Sequence, residues 1–291
     1  MVSAAILVLA LSVEAAPSQV NASSSARDVA GDTTHSPTFE DAQRSFYNGD
    51  YARAAMLSQM LCADRPDDLN ACELRTASLL FQIKKALGET GERDKNTAWN
   101  RCALCPALMS AFMADTARAQ ALARTRLETH PDHEDTLFFL GKIDLNYVWL
   151  QSGTLGRKTG WTEYWEARRS LDRVLRRNPA HVRARVARAW VDYIVGTTVP
   201  RGARWLLGGG NKKRGLLVVA EVVDTGGASF FDQTEARFAL WDMQVRERDV
   251  PGAVATARRL ASEFPENREL RKFLTTHDST TIVIDPARRA P

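Results

Sequence analysis

Glu163-Tyr164-Trp165-Glu166-Ala167-Arg168-Arg169-Ser170-Leu171, followed by Leu175 and Pro179, reads as one helix with a defined start and a hard stop. The acid suits a helix N-terminus, where it meets free backbone N–H groups and the positive dipole end. Tyr164 can pack back on the preceding helix. Ala167 marks a place where two helices cross too closely for a larger side chain. Leu175 buries the last turn. Pro179 lacks an N–H and disfavours helical geometry in the residue before it, so the helix ends there.

The same order returns ahead of three other prolines, Pro66, Pro131 and Pro265. Twelve residues before each of the four prolines stands an alanine: Ala54, Ala119, Ala167 and Ala253. Sixteen before stands an acid: Asp50, Asp115, Glu163 and Asp249. Fifteen before stand Tyr51, Thr116, Tyr164 and Val250, and four before stand Cys62, Leu127, Leu175 and Ala261. Such a joint register is the mark of stacked helix pairs, each covering the open apolar face of its neighbour.

Composition agrees. Of the 291 residues 44% are hydrophobic and 25% charged, which suits a globular chain and excludes a wholly disordered one. Few Gly and Pro beside much Ala, Leu and Arg favour helices. Lys+Arg number 39 against Asp+Glu 35, a net charge of +4. That balance lacks the dense basic stripe of a nucleic-acid binder, so no nucleic acid is expected as partner.

Asn48-Gly49-Asp50-Tyr51-x-x-Ala54 and the Glu163–Pro179 stretch resemble the tetratricopeptide repeat family. The resemblance implies an all-α fold, a right-handed superhelical stack of helix-turn-helix pairs (an α-solenoid), with about five to six pairs from a ~34-residue unit. Distances between successive prolines exceed whole units where glycine is dense, at 153–160 and 202–227. The segment 84–105 fits no unit, and Arg237 and Trp241 stand where the family has an aromatic and a small residue. The C-terminal half, PRGARWLLGGGNKKRGLLVVAEVV to VPGAVATARRLASEFPEN, looks like a group of bacterial exported repeat proteins. A looser likeness of layout is to the periplasmic T-component of tripartite ATP-independent (TRAP) transporters.

Residues 1–15 are expected to be a signal peptide. The run Ala4–Leu11 is apolar but too short to span a bilayer, and Val13-Glu14-Ala15 offers small residues for cleavage. No Lys or Arg precedes the run, which departs from the usual pattern. Residues 16–37 read as a flexible leader, 38–275 as the helical domain opened by a Thr38-x-x-Asp41 cap, and 276–291 as a tail with a β-prone Thr280–Ile284. The expected location is periplasmic or secreted, with no transmembrane span in the mature chain.

Candidate chemistry is sparse. Cys102-Ala-Leu-Cys105 lacks the strand that precedes a thioredoxin-like redox pair, so a structural disulfide is expected, with Cys62 and Cys72 as the second pair across the Pro66 turn. His130, Asp132, His133, Glu134 and Asp135 offer metal-ligand types but lack metalloenzyme spacing, so neither metal nor cofactor is expected. No G-x-S-x-G elbow or nucleotide fingerprint occurs, and an enzyme is disfavoured. Gly208-Gly209-Gly210 with Arg201, Arg204, Lys212, Lys213 and Arg214 makes the most basic window, a turn able to hold an anion. Tryptophans concentrate in the middle third. Trp149, Trp161 and Trp165, beside Arg168 and Arg169, are the residue types of peptide-binding hot spots. These ten residues are the candidate partner contacts. The expected function is a non-catalytic protein-protein interaction scaffold of the cell envelope, binding a protein or peptide on its concave face. The alternative is a ligand- or lipid-binding accessory of an envelope transporter, with an anionic or apolar small ligand among the tryptophans.

Overall fold

Two residues past each of the four prolines, the chain starts a new helix in the same way. Asp68, His133, His181 and Asn267 are the N-caps, and each accepts from backbone N–H groups two or three residues on. Each cap's own N–H donates to the carbonyl three residues back, at Arg65, His130, Asn178 and Phe264. Those four C-cap residues share one conformation, with φ between −130° and −127° and ψ between 69° and 83°. Proline forces the preceding residue out of the helical region, and the short polar side chain then satisfies the next helix's orphan donors. The four turns are one device used four times.

The computed structural model describes residues 36–88 and 95–278. The proposed signal peptide, nearly all of the leader and the tail from residue 279 lie outside the described residues. The described residues are all-helical, without a strand. In order the helices are α1 (Phe39–Tyr47), α2 (Tyr51–Asp64), α3 (Leu69–Leu87), α4 (Lys95–Arg101), α5 (Cys105–Thr129), α6 (Glu134–Val148), α7 (Trp161–Arg177), α8 (Val182–Thr198), α9 (Lys212–Val223), α10 (Phe230–Glu247), α11 (Val250–Glu263) and α12 (Arg268–His277). A π-helical turn (Trp149–Thr154) extends α6, and a 3-10 segment (Arg201–Leu207) follows α8. Thr38 and Asp41 form the capping box that opens α1, with reciprocal bonds of 2.9 and 3.2 Å.

Antiparallel neighbours pack as α1/α2, α3/α5, α6/α7, α8/α9 and α10/α11, with α12 against α11, and successive pairs touch. Ala54, Ala119, Ala167 and Ala253 are all buried. At the α6/α7 crossing, a Cβ on Gly141 would lie 3.0 Å from Leu171 and 3.3 Å from the Ala167 carbonyl. Pair α8/α9 has no alanine-proline register. Gly215 takes the crossing there, with its Cβ position only 2.6 Å from the Ala189 carbonyl.

The acids sixteen ahead of proline divide. Asp50 and Asp249 cap α2 and α11, and Glu163 lies in the first turn of α7. Asp115 does not start a helix, because α5 already begins at Cys105. It pairs instead with Arg75 of α3 at 3.0 Å and with Arg118 at 3.1 Å. Arg237, odd for the family pattern, is buried and holds Glu263 of α11 through bonds of 2.8 and 2.9 Å.

Among the described residues the first helix meets the last ones. Tyr47, the last residue of α1, places its ring 5.2 Å from Phe238, 5.5 Å from Phe264 and 6.1 Å from Phe231. Asn267, already the cap of α12, donates its amide to the Tyr47 carbonyl at 2.7 Å. Beside this contact the leading helices of the other pairs contribute one charge each: Glu73 (α3), Lys142 (α6), Arg183 (α8) and Glu235 (α10). Lys142 reaches Glu235 at 2.5 Å and Glu73 at 3.9 Å. Arg183 reaches Glu235 at 2.8 Å and Glu73 at 3.4 Å. Asn146 adds a bond to Glu73 at 3.2 Å, and the Arg183 guanidinium lies over the Phe138 ring. Burial works against the Glu235 carboxylate, yet Lys142 and Arg183 overcome it and hold its pKa at about 2.

Candidate functional site

The segment between α8 and α9 departs most from the repeating turn. After Val199 and Pro200 it makes a seven-residue 3-10 segment, a little over two turns, and then three glycines. Gly208 and Gly209 have φ of 71° and 82°, a region costly for other residues. The Gly209 N–H donates to the Arg204 carbonyl at 2.8 Å, and Asn211 caps α9 through the Arg214 N–H at 3.1 Å.

Arg168 and Tyr164 fix this segment to α7. The Tyr164 hydroxyl donates to the Leu207 carbonyl at 2.9 Å. The Arg168 guanidinium donates to the carbonyls of Leu207 at 3.0 Å, Gly209 at 3.3 Å and Gly208. A Cβ at Gly208 would sit 2.9 Å from the guanidinium, so the glycine also makes room for the arginine. From the other side Arg204 donates to the carbonyls of Val199, at 2.9 Å, and Gly196. Lys212 pairs with Glu247 of α10 at 2.8 Å. The segment has no fully buried residue; Leu207 packs against the core cluster around Tyr164 and Val195, and polar bonds to α7 and α8 hold the rest.

Its outward side is apolar and cationic. Trp205 is 73% exposed and Leu206 56%, while Leu217 on α9 is 59% exposed. Lys213 and Arg214 share that outer face of α9 with Leu217 at helical spacing. Trp161, 57% exposed, opens α7 one turn before Tyr164, which touches this segment. Arg169, Arg201, Lys213 and Arg214 are exposed and have no ion-pair partner among the described residues.

The ten sequence candidates therefore separate by position. Trp161, Arg169, Arg201, Lys213 and Arg214 are exposed. Trp149 is packed between two core clusters, and Trp165 lies edge-on to Tyr164 in one of them. Arg168 is buried, and Arg204 and Lys212 are engaged as described above. Trp205, Leu206 and Leu217 were absent from the candidate set. Their signal was an apolar run inside a Gly-rich stretch with no acid.

The remaining candidates lie apart from this segment. Cys102 and Cys105 are joined by a disulfide of 2.05 Å at the start of α5. The expected second disulfide is not formed: Cys62 and Cys72 do meet across the Pro66 turn, with sulfurs 2.6 Å apart, but both are free thiols buried in the core between α2 and α3. His133 caps α6, Asp132 binds Arg173 and Arg177, and Glu134 accepts from Asn178. No metal-capable cluster of His, Cys, Asp and Glu occurs among the described residues. Asp144 is fully buried. Burial, then the nearby Glu166 carboxylate, pushes its pKa up to about 8, and Gln120 donates to it at 2.7 Å. Two clefts, of about 350 and 270 Å³, lie along the α7/α8/α9 seam. They are lined chiefly by charged groups, among them Asp172, Arg188, Asp192 and Arg214. No helix of the described residues is long and apolar enough to cross a membrane.

The chain matches no protein-family model and no curated protein.

Proposed function

We propose that this protein is a non-catalytic binding module, a tetratricopeptide-like stack of helix pairs exported to the cell envelope. The repeated proline turn supports the stack, and the buried alanines at the crossings support its register. The observation that carries the binding role is the Arg168 clamp. A buried guanidinium is committed to backbone carbonyls of a segment whose Trp205 and Leu206 side chains are left largely exposed. Exposed large apolar side chains grouped on a rigidly held support mark an interaction site.

The contact surface in this reading is the outer side of the α8–α9 segment. The centre is taken up by Tyr47 and the four-charge network, which leaves the leading helices little free surface for a partner. The transporter-accessory alternative needs a cavity among the tryptophans. Trp149 and Trp165 pack in the core instead, and the two clefts are lined by neither.

A photo-crosslinking residue placed at Trp205 in the full chain, expressed in its native cell, tests the reading. It is expected to trap a discrete adduct that the same residue at Met56, exposed on α2, does not. Equal or absent trapping at the two positions sinks the binding role.

A further inference from the structure

The charge of the molecule is unevenly placed. The stretches 148–162 and 193–220 contain seven cations (Arg157, Lys158, Arg201, Arg204, Lys212, Lys213 and Arg214) and no Asp or Glu. The whole chain has a net charge of +4, so everything outside these stretches sums to −3. The basic character therefore belongs to one region. The two stretches adjoin in space through α7, because the first runs into α7 at Trp161 and Tyr164 bonds the carbonyl of Leu207 in the second. Within the region Glu247 holds Lys212, while Asp172 and Asp192, which share a cleft with Arg214, hold Arg188, so Arg201, Lys213 and Arg214 are left without an ion-pair partner among the described residues.

Trp161, Trp205 and Leu206, all exposed, belong to the same two stretches as these cations. An indole prefers an apolar–aqueous boundary, with its ring in the apolar phase and its N–H towards water. Cations beside it find their counter-charge at the phosphates of an anionic bilayer. A protein partner of such aromatics ordinarily meets them in a fitted pocket. Here Trp205 and Leu206 stand out from a short segment, and neither they nor Trp161 line the α7/α8/α9 clefts.

We infer that the face formed by Trp161, Trp205, Leu206, Arg201, Lys213 and Arg214 docks on an anionic lipid surface. The indoles and leucine enter the headgroup layer, and the three cations lie over the phosphates. This rests on the binding-module reading and names its partner. Attachment is peripheral, and the Arg168 clamp keeps the inserted segment from folding back.

Co-sedimentation of the full chain with phosphatidylcholine vesicles, with and without phosphatidylglycerol, tests it. Binding is expected only where phosphatidylglycerol is present, and it is expected to weaken as salt is raised. Each removed cation should cost about fivefold in partitioning, so the triple variant R201Q/K213Q/R214Q should bind on the order of 100-fold more weakly. W205A should bind about tenfold more weakly and lose much of the blue shift of tryptophan emission on binding. All four residues are exposed, so unchanged circular dichroism melts are expected to accompany the losses. Equal sedimentation with both vesicle types, or no sedimentation, overturns the inference. So does a triple variant that sediments like the wild type. Capture on immobilised polyglutamate without vesicle binding reassigns the face to an acidic protein. That outcome overturns the lipid partner while leaving the binding-module reading in place, whereas failure of the Trp205 crosslink removes that reading itself.

Discussion

Arginines and aromatic rings gather in two places, the centre of the molecule and the outer side of the α8–α9 segment, with opposite outcomes. At the centre, Arg183 lies over Phe138 and is neutralised by Glu73 and Glu235, while Tyr47 is enclosed by three phenylalanines. On the segment and the start of α9, Trp205 is mostly exposed and Arg201, Lys213 and Arg214 have no ion-pair partner among the described residues. Charge and ring count are thus no guide to a binding surface. The guide is whether the fold has already supplied partners. In the centre it has, from each of the five leading helices, and the result joins α1 to the C-terminal helices of the described residues. On the segment it has not, and the arginine that is consumed, Arg168, is the one that fixes the backbone.

The comparison breaks most easily at its closed end. Arg183→Ala leaves Glu73 and Glu235 sharing Lys142 alone in a largely buried site. Breaking a buried ionic network in this way costs about 3–5 kcal/mol. For a chain of this size that corresponds to roughly 10 °C in melting temperature. Thermal unfolding by circular dichroism measures it. A loss under about 1 kcal/mol, the range of exposed pairs, would mean that the network does not hold the ends together.

Acid sharpens the same point. The Glu235 pKa is depressed to about 2, below its unfolded value near 4.5. A depressed carboxylate contributes stability that is fully present above the unfolded pKa and is lost as pH falls towards the folded one. The contribution is on the order of 3 kcal/mol, discharged between about pH 4.5 and pH 2. Glu235→Gln is therefore expected to be clearly less stable than wild type in urea at pH 7 and nearly equal to it at pH 2. A gap that persists undiminished at pH 2 would assign the loss to packing rather than charge.

What could be read from sequence is what local rules decide. Proline, the polar cap two residues later and the alanine twelve residues before it each act within one turn or one crossing, so their spacing survives in the chain. The Thr38–Asp41 cap was legible for the same reason. Asp115 looked like the other acids because spacing does not reveal that α5 starts ten residues earlier. The pairing of Tyr47 with Phe238 and Phe264 was not legible, since nothing in the sequence around Tyr47 names a partner some two hundred residues away. Arg168 was chosen for its type and neighbours, and the carbonyls that claim it belong to a distant glycine turn. The glycine turn is legible as a basic window, but composition does not tell that Trp205 and Leu206 face outward, because burial is decided by helices distant in the chain.

The smallest global effect belongs to Arg168, and it is the most telling about the exposed region. Arg168→Ala removes bonds to three carbonyls and leaves Tyr164 as the remaining tie to Leu207. Hydrogen bonds from a charged donor contribute about 2 kcal/mol, and the segment rests on the pair stack without being part of its core. The expected result is a global melt displaced by only a few degrees together with a sharp rise in proteolytic cleavage within 201–210. Arg168→Lys should fall between the two, because one ammonium cannot reproduce a planar fork aimed at several carbonyls. A variant that melts much earlier and shows no selective cleavage would make Arg168 a core residue. The segment would then be an integral layer of the fold, and the contrast between a closed centre and a presented edge would dissolve.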